Sequence, residues 1–123
     1  MEILLDKEPV KRVQDILLKI DTSLKVIILN TTASTAKDAA DALKCNVGAI
    51  VKSLLLKTET DFLICLVSGD KKCSINKLKK ILNKKDISMA NAEEVKINTG
   101  FSIGGVSPVG HIKKLNILID KSL

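Results

Sequence analysis

Apolar residues recur at two different periods along this chain, and the switches between them divide it into helices and strands. From Pro9 to Ile20, Val10, Val13, Ile16, Leu17 and Ile20 return every three or four positions, which predicts an amphipathic helix with Pro9 in its first turn. Val26 to Leu29 is short, apolar and partly β-branched, and predicts a strand followed by the polar segment Asn30 to Ser34. A second helix is expected from Thr35, with Asp38 placed to complete a capping box and Ala36, Ala39, Ala40, Ala42 and Leu43 carrying it to about Cys45.

The runs Ile50 to Leu56 and Phe62 to Val67 then flank a polar turn and predict a hairpin of buried strands. Beyond Ser68-Gly69-Asp70, a helix capped by Ser74 should bury Ile75, Leu78, Ile81 and Leu82. Ile87 to Met89 suggests a brief strand. Asn91 and Glu94 are spaced to cap a short helix ending before Gly100, and Leu115 to Ile119 should form the last strand. Helices and strands interleave without repeat or linker, so the expectation is one α+β domain over residues 1–123.

Composition narrows the function classes. The chain has 123 residues, a net charge of +6 and 2% aromatic residues. So few rings argue against a base-stacking platform, while the charge favours a polyanionic partner. Of twenty basic residues only Arg12 is arginine, which also fits a general lysine bias. Three cysteines without C-x-x-C spacing and a single histidine indicate neither a zinc site nor a disulfide framework, so no metal or cofactor is expected. Cys45 and Cys65 read as core packing. The N-terminus lacks the pattern of a signal peptide and no run approaches a membrane span, so a soluble cytoplasmic protein is expected.

Two features point to chemistry. From Gly100 to His111 the chain places four glycines and Pro108 in twelve residues, a composition that offers backbone N–H groups to an anion or a carbonyl oxygen gaining charge. A tight surface turn is the plainer alternative. The other feature is Lys52, which period-two alternation puts on one face with Ile50, Leu54 and Leu56. Either the opposite face is the core and Lys52 is solvated, or it must meet solvent, a carboxylate or an anionic ligand. Seven lysines between positions 71 and 85, among them Lys71, Lys72, Lys77 and Lys80, make either a solvated face or an RNA-backbone patch. No serine-hydrolase elbow, zinc-protease pair, P-loop or dinucleotide fingerprint is present.

In order along the chain, Val51-Lys52-Ser53-Leu54, Ser68-Gly69-Asp70, Lys77-Leu78, Thr99-Gly100-Phe101, Ile103-Gly104-Gly105-Val106-Ser107-Pro108-Val109-Gly110-His111 and Ile119-Asp120 resemble the YbaK/EbsC family of aminoacyl-tRNA deacylases. The resemblance implies a mixed, partly barrel-like sheet flanked by helices. It implies hydrolysis of the ester joining a wrong amino acid to tRNA, most often a proline tRNA, with prolyl-tRNA synthetase as a further partner.

By the same resemblance Lys52 holds the tRNA end, and the loop from Gly104 through Gly105, Val106 and Ser107 to Pro108 offers amides to the ester. Ser53, Ser34 and Thr35 line the pocket, and His111 matches a branch-specific ending. Water, helped by a ribose hydroxyl or by the substrate's own thiol, then replaces a protein nucleophile. Family members usually add a strand and a helix past the Ile-Asp element, which this chain is expected to lack. A non-catalytic tRNA-binding or regulatory relative is the alternative reading.

Overall fold

In the computed structural model, residues 8–29, 31 and 33–123 are described, so the expectations for the first seven residues and for Asn30 and Thr32 fall outside it. Helix α1 spans Glu8–Ile20 and α2 spans Ala36–Leu43. A 3-10 turn at Val47–Ala49 leads into the hairpin of β1 (Val51–Thr58) and β2 (Phe62–Ser68). There follow α3 (Ile75–Leu82), β3 (Ile87–Met89), α4 (Ala92–Thr99) and β4 (Asn116–Ile119).

The strands form one mixed sheet in the order β3-β1-β2-β4, antiparallel except between β2 and β4. Strand β2 therefore lies inside the sheet, and Leu63 to Ser68 are all buried, as a continuous apolar run requires. Alternate residues of the hairpin feed two cores. Leu56, Leu63, Cys65 and Val67 pack with Leu78 of α3 and Ile87, while Leu55, Ile64 and Leu66 pack on the other face with Ala90 and Val95 of α4. The sheet is thus covered by a helix on each side, in agreement with the α+β expectation.

Local signals explain where the short helices begin and end. Thr35 Oγ1 accepts from the Asp38 amide at 3.1 Å, and Asn91 and Glu94 form a reciprocal capping box. Gly100 terminates α4 at φ +79°, where a side chain would be strained.

Four expectations fail. Residues 26–29 form no strand, because the Val26 N–H donates to Gln14 Oε1 at 2.8 Å instead of joining a ladder, and Ile27 is 69% exposed. Ile81 is 73% exposed, since it sits about 90° around α3 from the stripe of Ile75, Leu78 and Leu82 at 100° per residue. Ile20 is likewise exposed, at the open end of α1. Cys45 is exposed rather than packed, because α2 has already ended in a left-handed cap at Lys44.

Candidate functional site

The Ser68-Gly69-Asp70 element fastens the start of β1. Ser68 Oγ lies 2.7 Å from both the Gly48 carbonyl and Asp70 Oδ1, and its one proton serves either acceptor. The Gly69 N–H donates to the Ile50 carbonyl at 2.7 Å. A Cβ at Gly69 would collide with the Val47 carbonyl, so glycine here permits backbone to meet backbone. This knot sets the direction of the strand that carries Lys52 and Ser53.

A cavity of about 350 Å³ opens beside that strand. It is framed by the head of α2, by β1, by Met89 to Val95 and by the loop residues Ile103, Gly104 and Val106. Ser34, Thr35, Ser53, Gly104 and Val106 therefore come together, and Lys52 also borders the cavity although its strand register turns its side chain to the other face of the sheet. Gly105, Ser107, Pro108 and His111 do not line it. The Gly105 N–H is consumed inside the loop, donating to the Ser102 carbonyl at 2.9 Å, whereas the Gly104 and Val106 N–H groups have no partner among the described residues. Gly104 adopts φ +80° with open space where a side chain would stand.

Ser53 is the most informative residue of the wall. Its Oγ is buried and has no hydrogen-bond partner among the described residues. A buried hydroxyl left unmatched costs about 1–3 kcal/mol, and this one belongs to a residue of the cavity wall. Lys52 behaves differently. Its register partner is Val67, which puts the side chain on the α3 face of the sheet, and its ammonium donates to the Lys71 carbonyl. That bond reaches a peptide oxygen nineteen residues away and is exposed, so the ammonium also meets solvent, one of the expected outcomes.

Lys71, Lys72 and Lys77 line a second cavity, of about 720 Å³, on that same face, with Cys65, Cys73, Ser74 and Asp120. Lys80 is exposed and lines neither cavity. Ser122 donates to Asp120 from its hydroxyl and from its backbone N–H, and together these hold the Asp120 carboxyl below its usual range, with smaller help from Lys121 and Lys77. Cys73 Sγ lies 3.8 Å from Cys65 Sγ. Burial, aided by this neighbour, pushes the Cys65 thiol up to about 12, so it is a thiol and not a nucleophile near neutrality.

The glycine loop is tied down from an unexpected quarter. Arg12 of α1 donates from Nε to the Gly110 carbonyl at 2.6 Å, and its Cζ lies 4.7 Å from the centre of the Phe101 ring. His111 meets that ring edge-on, at 6.1 Å and 87°. The His111 Nε2 lies 2.7 Å from the Ser107 carbonyl, which can only accept, so Nε2 carries the proton. Sequence reading notes Arg12 only as the lone arginine. Nothing in the pattern of α1 reveals a contact ninety-eight residues away.

The fold and this cavity define a class, a sheet-and-helix domain with an amide-bearing glycine loop facing a strand hydroxyl. The family model described as "Aminoacyl-tRNA editing domain" matches residues 30–123, and the chain belongs to that family. A solved structure described as a candidate trans-editing enzyme for prolyl tRNA synthetase superposes with a TM-score of 0.85 at 38% identity, over 93% of this chain and 73% of that one.

Among curated proteins, the chain is 40% identical over 86 residues to the proline–tRNA ligase of Kosmotoga olearia, covering 70% of this chain and 15% of the ligase. It is 28% identical over 122 residues to that of Bacillus velezensis, covering 99% of this chain and 20% of the ligase. The chain thus spans only a fifth or less of these ligases. Among the described residues, no helix is long and apolar enough to cross a membrane, and no group of three or more His, Cys, Asp or Glu side chains is placed to hold a metal ion.

Proposed function

We propose that the chain, as a single editing unit over residues 1–123, hydrolyses the ester of a mischarged aminoacyl-tRNA, with proline tRNA as the carrier and prolyl-tRNA synthetase as the source of the error. The observation that carries this reading is the buried, unpartnered hydroxyl of Ser53, a residue in the wall of the cavity shared with Gly104 and Val106. A size-based synthetase site discriminates poorly between similar small side chains, which is the error a second site removes. The cavity is at the small end of the roughly 300–1,000 Å³ range of ligand pockets and suits a small aminoacyl group.

In this reading the carbonyl oxygen of the ester takes hydrogen bonds from the Gly104 or Val106 amide and from Ser53. Water attacks the carbonyl carbon, the bond to the ribose 3′ oxygen breaks, and that oxygen leaves with a proton as the free tRNA hydroxyl. The protein supplies donors placed where negative charge develops, each worth on the order of 100- to 1,000-fold in rate. Lys52 exchanges its carbonyl partner for the phosphate of the tRNA end. The proton shuttle comes from the substrate, consistent with a cavity that has no carboxylate, histidine or cysteine among its described lining residues.

A panel of tRNAs charged with cysteine, alanine, serine or threonine tests the proposal. Wild-type protein should release at least one amino acid catalytically, and Lys52→Ala should lower the rate by tenfold or more (about 1.4 kcal/mol). Equal ester loss in the variant, or none on any substrate, overturns it. The second reading, a tRNA-binding relative without turnover, is favoured by the engagement of the Lys52 ammonium with the Lys71 carbonyl, and predicts binding with no release.

A further inference from the structure

The cavity's glycine loop has two ends, and one guanidinium holds both. Besides its bond to the Gly110 carbonyl, Arg12 directs Nη2 to the Thr99 carbonyl at 3.4 Å, and the same carbonyl accepts the Ile112 N–H at 3.2 Å. Thr99 and Gly110 are the residues at which the chain leaves α4 and returns from the loop. Between them lie Ile103, Gly104 and Val106, which line the cavity. From the Arg12 guanidinium, contacts run on through Phe101 to His111 and so to the Ser107 carbonyl, in the middle of the loop.

The backbone has adapted to this cation. A Cβ at Gly100 would stand 2.6 Å from Arg12 Nη2 and 2.8 Å from Ile112 Cγ2, and Gly100 and Gly110 both hold positive φ, at +79° and +82°. The contact is specific to a planar fork. A lysine has the charge and three donors, but not the planar fork that fixes its donors on two carbonyls while its flat face lies on a ring. In a chain with nineteen lysines and one arginine, the arginine stands where that geometry is used. Its other neighbour, Glu8, is 3.8 Å away and 79% exposed, so the pair adds little and leaves the guanidinium committed to the loop.

We propose that Arg12 is a positioning residue for the candidate site. By closing the stems of the 99–112 segment it fixes the direction of the Gly104 and Val106 amides opposite Ser53, without itself touching substrate. Arg12 lies outside the residues matched by the family model, so this clip is contributed by a helix beyond the matched segment. The proposal rests on the deacylase reading for its kinetic consequence, but not for its structural one.

The test compares wild type with Arg12→Lys in two arms. In steady-state deacylation of mischarged tRNA, the variant should lose about 10- to 100-fold in kcat, the effect of misplacing catalytic groups by about 1 Å, with KM within about twofold. Unchanged kcat overturns the proposal, as does a raised KM at constant kcat, which would make Arg12 a tRNA contact.

In amide hydrogen exchange, Arg12→Lys should speed exchange across residues 101–112 while β1 and β2 keep their protection. Unchanged loop exchange, or loss of protection throughout, overturns it, the latter by making Arg12 a residue of the fold as a whole. Should wild type release no amino acid, the deacylase reading fails and the exchange arm alone decides the clip.

Discussion

At the scale of single residues, Ser53 and Lys52 are neighbours in sequence with opposite relations to the sheet. Strand alternation sends Ser53 to the face of α4 and the open cavity, and Lys52 to the face of α3. Replacing the unpartnered hydroxyl removes a buried polar group that is not repaid within the described structure. Ser53→Ala should therefore leave stability unchanged or raise it by up to about 1 kcal/mol, read from urea unfolding, while deacylation falls. A clear loss of stability would show that the hydroxyl has a partner in the folded protein, and intact activity would remove Ser53 from the site. The alternation of β1 makes Lys52 stand out in the sequence, while Ser53 is named there only by the family resemblance. What it cannot show is that the ammonium is held by a backbone carbonyl, because a carbonyl leaves no signature in residue type.

Among the elements, those defined by their own ends were legible. Thr35, Ser74 and Asn91 each accept the backbone N–H expected of a cap, and the hairpin follows from two apolar runs around a polar turn. Residues 26–29 form no strand although they read as one, and the Gln14 side chain, from another element, takes up the Val26 N–H and donates to the Leu24 carbonyl just before them. The Arg12 clip was missed for the same reason: the signal lies in tertiary placement and not in periodicity.

The α4 cap also carries a pH dependence. Glu94 accepts from the Asn91 N–H at 3.0 Å and from Lys57 Nζ at 2.9 Å, and these contacts, the backbone bond foremost, hold its carboxyl below the usual 4.5. A depressed carboxyl stabilises the fold above its unfolded value and loses that contribution as pH falls through the folded one. Thermal unfolding between about pH 5 and about pH 3 should show a shallower acid loss in Glu94→Gln than in wild type. Parallel curves would detach Glu94 from acid stability.

For the molecule as a whole, with a net charge of +6, Lys71, Lys72, Lys77 and Lys121 line the second cavity beside Asp120, across the sheet from Ser53. If this surface follows the tRNA backbone, each lysine replaced by alanine should lower the slope of log affinity against log salt by about 0.7–0.9, with affinity falling on every tRNA alike. A slope unaffected by removing all four would mark the lysines as solvated surface. Composition alone suggested a polyanion. That these lysines and Ser53 lie on opposite faces is visible only in the sheet.

The single parallel pairing, β2 with β4, also imposes an order in time. The hairpin closes residues only a few positions apart, whereas Leu66 must wait for Ile119. Contacts between such distant residues form late, because their closure entropy is met before any pairing rewards it. The glycine loop lies in the stretch that joins α4 to this last strand, and its stems are tied by Arg12 and Ile112 before that strand begins. During synthesis the hairpin can therefore form and the loop can be clipped first, and the β2–β4 pairing is added afterwards.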